Sequence, residues 1–195
     1  MKTQSPHSPS PARRRSFLAQ ARLATPLGPM TAAATAQGLA GLWFDDQRHH
    51  PGPLEAPVHE HDRFIAQARR ELAVYFAGGS AAATAFTVPL DPQGTPFQQN
   101  VWSLLRSIGH AQLARYGDLA RRLGQPQAAR AVGAAVGRNP LSIIVPCHRV
   151  LGQDGSLTGY AGGLDRKRAL LQLEGAPIAR AALAAPALAR IALAA

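Results

Sequence analysis

The hydrophobic and polar positions in the first part of the chain follow the pattern of short β-strands. Between residues 17 and 44, short apolar stretches are interrupted by Pro26-Leu27-Gly28-Pro29 and by Gln37-Gly38. Clusters of proline and glycine of this kind mark turns between strands. The pattern therefore predicts a small antiparallel sheet.

A helix and a further strand are predicted after this sheet. Segment 61–77 carries apolar residues at helical spacing with charged residues between them, and Gly78-Gly79 would stop the helix. The apolar segment 86–90 predicts another strand. Residues 91–94 would then form the linker out of this strand-rich part.

The hydrophobic period becomes helical beyond residue 94. Thr95 and Pro96 suit the cap and the first position of a helix that ends at Gly109, and two shorter helices are predicted at 116–123 and 126–137. Two short helices separated by a glycine turn have the length and spacing of a helix-turn-helix.

The third of these helices consists mainly of alanine and glycine, and Arg130 is the only long side chain in its middle. A smooth helix can approach a DNA backbone or the minor groove closely, with little sequence selectivity. A tightly packed buried helix has the same composition. The pattern leaves both interpretations open.

Candidate chemistry centres on the only cysteine of the chain. The β-branched run at 141–146 predicts a buried strand that brings Cys147 to its end, beside His148 and Arg149. A single cysteine excludes an intramolecular disulfide and a multi-cysteine zinc site. The thiol is then either a buried apolar group or a nucleophile, and neighbouring positive charge or a base would lower its pKa.

Composition and charge add a class of partner. The chain has 195 residues, of which 46% are hydrophobic, and it has no apolar run long enough to predict a membrane-spanning helix. Its net charge of +10 is uneven, because eleven basic residues meet four acids in segment 95–180, whereas five meet seven in segment 16–94. A basic half indicates a polyanionic partner such as nucleic acid, although the arginine-rich composition of a high-GC genome would produce the same charge.

Two further segments are interpreted without a chemical role. Residues 1–15, which are rich in Ser, Pro and Arg, are predicted to be a disordered basic tail. Four histidines between residues 49 and 61 have no acidic or cysteine partner at a recognisable metal-ligand spacing, so they are interpreted as part of a solvated loop. No metal site and no cofactor are predicted.

The motif Pro146-Cys147-His148-Arg149-Val150 resembles the active-site signature of the O6-alkylguanine-DNA alkyltransferases, also called methylated-DNA–protein-cysteine methyltransferases. The similarity extends over about residues 25–175. Five more motifs occur in the order of that family: Arg115-Tyr116-Gly117-Asp118-Leu119-Ala120, Ala129-Arg130-Ala131-Val132-Gly133, Arg138-Asn139-Pro140, Gly159-Tyr160-Ala161-Gly162-Gly163 and Glu174-Gly175.

The resemblance implies an α/β (α+β) fold with two domains. A small ribonuclease-H-like domain with an antiparallel sheet would span residues 16–92. A helical DNA-binding domain with the helix-turn-helix and the active site would span residues 93–176. Residues 177–195 would form an alanine-rich tail.

The resemblance also implies a reaction. Cys147 would take the alkyl group from O6-alkylguanine in DNA and keep it, so that each molecule acts once, and O4-alkylthymine is a second candidate substrate. Glu174, His148 and a water molecule would form the relay that removes the thiol proton. Asn139 would brace the site.

The damaged base must leave the duplex before a thiol can reach it. By resemblance, Arg130 would fill the vacated place in the stack, and Tyr116 would press on the target phosphate and donate to the guanine ring. Tyr160 would cover the extruded base, and the carbonyl groups of Cys147 and Val150 would accept from its exocyclic amine. The remaining candidate DNA and substrate contacts are Ala129, Ala131, Gly133, Ala161 and Gly162.

Some members of the family carry serine at the position of Ala161, so only the backbone N–H can serve there. Arg115, Arg121, Arg122 and Arg138 are interpreted as phosphate contacts or solvated charges. The expected partner is double-stranded DNA that contains O6-alkylguanine. The protein is expected to act as a monomer, without a membrane, in the cytoplasm.

Two alternatives belong to other classes of protein. A non-catalytic DNA-damage binding protein would use the same scaffold, but relatives of that type replace the cysteine that is present here. A transcriptional regulator would read sequence through the helix-turn-helix, and the scarcity of long polar side chains on the third helix argues against it.

Overall fold

The computed structural model describes residues 16–78 and 86–178. The predicted tail at 1–15, most of the alanine-rich tail and the predicted helix stop at Gly79 therefore lie outside the described residues. Within the described ranges, no helix combines the length and the apolar character that a membrane span requires.

The N-terminal part contains the antiparallel sheet that the sequence predicts. Strands β1 (Ala19–Leu23), β2 (Met30–Ala34) and β3 (Leu39–Phe44) lie in that order across the sheet. All six residues of β3 are buried. The last strand of the sheet is therefore part of the core, and it can form contacts with the C-terminal part on its other side.

Helix α1 (Arg63–Ala77) confirms the predicted helix and begins two residues later than expected. The carboxylate of Asp62 accepts hydrogen bonds from the backbone N–H groups of Phe64 and Ile65, which caps the helix. Gly78 ends it with a φ of 76°, a conformation that glycine adopts without strain.

The prediction of a strand at 86–90 was wrong. Only Leu90 forms a bridge to the sheet, through Leu39. The backbone N–H groups of Thr87 and Val88 instead donate to the carboxylate of Glu71, at 3.1 Å each. A side chain of α1 thus replaces the neighbouring strand as their hydrogen-bond partner.

The C-terminal part begins with the predicted helices. They are α2 (Pro96–Arg106), α3 (Tyr116–Arg122) and α4 (Ala129–Gly137), and a 3₁₀ turn at Pro126–Ala128 leads into the last of them. Thr95 caps α2 in a capping box with Gln98. Helix α2 ends at Arg106, three residues before the predicted stop.

Helix α4 has one buried and one exposed face, so each of the two interpretations of its composition describes one side. Val132, Ala135 and Val136 are buried, and the indole N–H of Trp102 on α2 donates to the carbonyl of Ala135 at 2.9 Å. Arg130 is exposed.

The prediction of a strand at 141–146 was also wrong. Leu141 forms a single bridge to Leu42 of β3, and the chain then turns, so that the N–H of Val145 donates to the carbonyl of Leu141 at 2.9 Å. Ile143 has a φ of 72°, which a β-branched residue rarely adopts. A buried turn, and not a strand, leads to Cys147.

Three elements of the C-terminal part were not predicted. Strands β4 (Ala114–Arg115) and β5 (Val150–Leu151) form a short parallel pair, and helix α5 (Leu164–Leu173) follows. One hydrophobic cluster contains residues from the sheet and from α1, α2 and α4. The two parts of the chain therefore share a core.

Candidate active site

Cys147 lies at the start of a 3₁₀ turn, Cys147–Arg149, and is 4% exposed. Burial raises the pKa of its thiol, although a hydrogen bond from Asn139 and the charge of Lys167 act in the opposite direction. The sequence, with its positively charged neighbours of Cys147, predicted a lowered thiol pKa, and that prediction was wrong. In the resting protein, Cys147 is therefore a thiol at neutral pH.

Asn139 joins the turn to the thiol. Its Nδ2 atom lies 3.1 Å from Cys147 Sγ and 2.8 Å from the carbonyl oxygen of Val145, and its Oδ1 atom accepts from the N–H of Leu141 at 3.0 Å. The side chain is buried. It therefore adds side-chain hydrogen bonds to those that the turn makes within its own backbone.

His148 and Glu174 form the carboxylate–imidazole pair of the expected relay. The distance from His148 Nε2 to Glu174 Oε1 is 2.8 Å, and both side chains are fully buried. Burial lowers the pKa of His148 more than Glu174 raises it, so the imidazole is neutral. Its Nδ1 atom makes no hydrogen bond with any described residue, and it is therefore the ring atom available to accept a proton.

Glu174 is ionised. Burial tends to raise the pKa of this carboxyl group, but hydrogen bonds from His148 and Arg149 outweigh it and hold the pKa below its usual range. The guanidinium of Arg149 donates through Nε to Oε2 and through Nη2 to Oε1, both at 2.9 Å. The charge of Arg149 is thus compensated by Glu174, which explains why it does not dominate the nearby thiol.

Two more groups donate to the same carboxylate. The hydroxyl of Tyr75 on α1 lies 2.7 Å from Glu174 Oε1, and the N–H of Ala111 lies 3.3 Å from Oε2. Tyr75 has the helical spacing of a core residue, and that pattern predicts no role in the site. Arg149 was noted only as a neighbour of the cysteine, and its place in the signature motif was the available signal.

Lys167 is a further buried residue of the site, and no pattern in the sequence predicts it. Its ammonium group donates to the carbonyl of Val150 and, at 2.6 Å, to the carbonyl of Thr158. Burial lowers its pKa to about 8. The carbonyl of Val150, which was expected to accept from the base, has Lys167 as a donor in this structure.

One tyrosine belongs to the loop at residues 159–163, and a second contacts it from α3. The hydroxyl of Tyr116 donates to the carbonyl of Gly159 at 3.1 Å. Tyr160 is 9% exposed, and its ring is edge-on to that of His148 with 6.5 Å between the centroids. Tyr160 therefore lies on the loop beside His148, and Tyr116, at the start of α3, contacts that loop.

The same loop is attached to the N-terminal part. The carbonyl of Ala161 accepts from the N–H of Arg48 at 2.9 Å. The carbonyl of Gly162 accepts from Arg166, whose guanidinium also donates to the carbonyl of Leu27 at 2.8 Å and pairs with Asp46 at 2.7 Å.

The predicted DNA contacts on α4 form a separate group. Arg130 and Ala131 are exposed, and Ala129 is partly buried. A Cβ atom placed on Gly133 would lie 3.7 Å from the ring of Tyr116, so α4 and this tyrosine are neighbours. Within the described part of the chain, no group of three or more His, Cys, Asp or Glu residues could hold a metal ion.

Comparisons with known proteins agree with this arrangement. Residues 19–92 match the family model described as the ribonuclease-like domain of 6-O-methylguanine DNA methyltransferase, and residues 96–176 match its DNA binding domain. The methylated-DNA–protein-cysteine methyltransferase of Methanosarcina acetivorans is 44% identical over 77% of this chain and 94% of its own. The protein of the same name from Haemophilus influenzae is 42% identical over 78% of this chain and 84% of its own.

A solved structure is similar over most of its length. The crystal structure of Mycobacterium tuberculosis OGT in complex with DNA has a TM-score of 0.69 and 41% identity, and the match covers 80% of this chain and 92% of that one. Both domain models, the curated relatives and the fold thus agree, and the chain belongs to the family of methylated-DNA–protein-cysteine methyltransferases.

Proposed function

We propose that this protein repairs DNA by moving the alkyl group of O6-alkylguanine onto Cys147. The Sγ–carbon bond forms as the carbon–O6 bond breaks, and the proton lost by the thiol is balanced by the one that the departing guanine gains. The observation that carries the proposal is the buried thiol of Cys147 next in sequence to the neutral His148, which is hydrogen-bonded to the ionised Glu174. These groups cannot cleave the thioether that forms on Cys147, so each molecule acts once.

The buried relay supports a proton transfer that is coupled to the reaction. Cys147 rests as a thiol, and His148 Nδ1 is free of protein partners among the described residues. Glu174 holds Nε2–H and fixes the tautomer that leaves a lone pair on Nδ1. The thiol proton passes to Nδ1, directly or through a water molecule. Asn139 Nδ2, at 3.1 Å from the sulfur, stabilises the developing thiolate.

The exposed side of α4 supports binding to duplex DNA. Arg130 would take the place of the extruded base, Tyr116 would press on its phosphate, and Ala129, Ala131 and Gly133 would allow the backbone of the DNA to come close. Helices α3 and α4 would then act as a helix-turn-helix within residues 93–176. Residues 16–92 would form the second domain.

The loop at 159–163 would form the wall over the extruded base. Tyr160, Ala161 and Gly162 would contact the guanine edge, and the carbonyl groups of Cys147 and Val150 would accept from its amine. Hydrogen bonds to the departing guanine stabilise the charge that develops on it, so these contacts would raise the rate as well as select the base.

A monomer in the cytoplasm would suffice for this reaction. All groups of the relay belong to one chain, and Cys147 needs a reducing compartment to remain a free thiol.

The experiment is an incubation of the protein with a duplex that contains one O6-methylguanine, followed by mass spectrometry of the peptides. We expect one methyl group on the peptide that carries Cys147 and none after incubation with a lesion-free duplex. A second duplex with O4-methylthymine tests the other candidate substrate. The Cys147→Ala variant should bind the damaged duplex without transfer. An unmodified Cys147 after a long incubation with O6-methylguanine would refute the proposal.

A further inference from the structure

Tyr75 connects the N-terminal part of the molecule to the relay. It lies on α1, 99 residues before Glu174, and its hydroxyl donates to Glu174 Oε1 at 2.7 Å. The same oxygen lies 2.8 Å from His148 Nε2 and 2.9 Å from Arg149 Nη2. Three donors thus share the one atom that orients the imidazole.

We infer that Tyr75 is a positioning residue for alkyl transfer, because its hydroxyl fixes Oε1 of Glu174 and weakens that oxygen as an acceptor for His148. The inference rests on the proposed function. It assigns to α1 a part in the chemistry of a thiol that lies on another part of the chain.

The hydroxyl acts on the relay without adding charge. Glu174 and Arg149 form a buried pair whose charges compensate each other. A carboxylate oxygen has about two lone pairs that can accept hydrogen bonds. A third donor to the same oxygen therefore weakens the hydrogen bond that each of the other donors makes. The donor that Tyr75 supplies is always present, because burial, followed by the charge of Glu174, raises the pKa of its phenol far above the physiological range.

The packing of Tyr75 can be separated from its hydrogen bond. Its ring lies edge-on to Phe76 and tilted against Phe86, with 5.4 Å between centroids in each pair. Tyr75→Phe keeps these aromatic contacts and removes only the hydroxyl. A change in the relay of this variant would therefore come from the lost donor.

The expected effect has two parts. With the hydroxyl gone, Oε1 binds His148 Nε2–H more tightly, so the proton resonance of Nε2–H should move downfield. The carboxylate also loses a contact that holds it in place. By comparison, the hydrogen-bond partners that orient the histidine ligands of metal sites are worth about 10- to 100-fold in affinity or activity. We expect transfer from O6-methylguanine in a duplex to slow by about tenfold.

The matched control is Thr35→Val. The hydroxyl of Thr35 also donates to a carboxylate, Asp91 Oδ2, at 2.7 Å within the N-terminal part, and Thr35 is likewise buried. This variant should keep the single-turnover rate and the His148 resonance of the unmodified protein.

Site-specific replacement of Tyr75 by 3-fluorotyrosine provides a change of opposite sign. The fluorinated phenol is a stronger donor in the same position, so the His148 Nε2–H resonance should move upfield. This measurement also serves if Tyr75→Phe does not fold.

The outcomes separate the inference from the proposed function. If the unmodified protein leaves Cys147 unmethylated, the proposed function fails. If it is methylated and Tyr75→Phe matches Thr35→Val in both rate and resonance, Tyr75 has only a structural role and the inference is overturned. A resonance that stays unchanged with 3-fluorotyrosine would overturn it in the same way.

Discussion

At the scale of single residues, the reactivity of Cys147 depends on burial more than on its neighbours in the sequence. The flanking His148 and Arg149 suggest a positive surrounding, but His148 is neutral and Arg149 is paired with Glu174. Burial then decides the direction, and it raises the pKa of the thiol. The protein thus keeps its only thiol protonated in the resting state.

The raised pKa of Cys147 predicts how its alkylation depends on pH. Because only the thiolate is alkylated, the rate at which iodoacetamide modifies Cys147 should rise about tenfold per pH unit and reach its midpoint above the ordinary thiol pKa of 9.0. The measurement is the rate of carbamidomethylation between pH 6 and 10. The control is the same measurement on the urea-unfolded chain, in which the thiol should titrate with a roughly unperturbed pKa. The single cysteine makes the label specific. A plateau below pH 8 in the folded protein would contradict a raised pKa.

At the scale of elements, the decisive segment is the turn that leads to Cys147. Its β-branched residues favour a strand, yet Ile143 has a positive φ and only Leu141 pairs with the sheet. The side chain of Asn139 takes over part of the role of a partner strand. Its amide group donates a hydrogen bond to the carbonyl of Val145 and accepts one from the N–H of Leu141. A local pattern of hydrophobic residues cannot predict this, since the stabilising group is a side chain before the segment.

The role of Asn139 can be tested by Asn139→Ala. The variant loses the donor to Val145 and Cys147 and the acceptor for the buried N–H of Leu141, so we expect the free energy of unfolding to fall by about 3 kcal/mol. Urea unfolding followed by circular dichroism measures it. The other asparagine of the chain, Asn100, is exposed on α2, and Asn100→Ala should change stability by less than about 0.5 kcal/mol. Equal losses in the two variants would refute the bracing role.

At the scale of the whole molecule, the two parts of the chain build the site together. The N-terminal part supplies Tyr75 to the relay and Asp46 to the anchor of the loop at 159–163, through Arg166. Backbone hydrogen bonds also join Leu42 of β3 to Pro140 and Ser142, at 2.8 and 2.9 Å. The sheet therefore supports the reactive segment directly.

The uneven charge of the molecule predicts how DNA binding depends on salt. If Arg138, exposed at the end of α4, contacts a phosphate, Arg138→Ala should lower the slope of log K against log salt concentration by about 1, because one fewer counterion is released. Fluorescence anisotropy with a lesion-free duplex at several salt concentrations measures the slope. Arg70→Ala, on the exposed side of α1 in the mildly acidic part, should leave the slope unchanged. An unchanged slope for Arg138→Ala would mean that this arginine is only solvated.

The sequence alone determined the elements whose signals are local. The turns of the sheet, the cap of α2 and the short helices α3 and α4 follow from proline, glycine and the hydrophobic period, which act within a few residues. The motifs around Cys147, Asn139 and Glu174 were likewise enough to indicate the family, and they predict that Cys147 is the nucleophile.

Only the tertiary structure decided which groups meet around that thiol. Tyr75 reaches Glu174 across 99 residues, Lys167 is buried against carbonyl groups of another segment, and the thiol is enclosed so that its pKa rises. None of these facts has a local signal, because burial and contact depend on how distant elements pack. The physical reason is that hydrophobic period sets the faces of helices and strands, whereas the electrostatics of a site depends on everything that surrounds it.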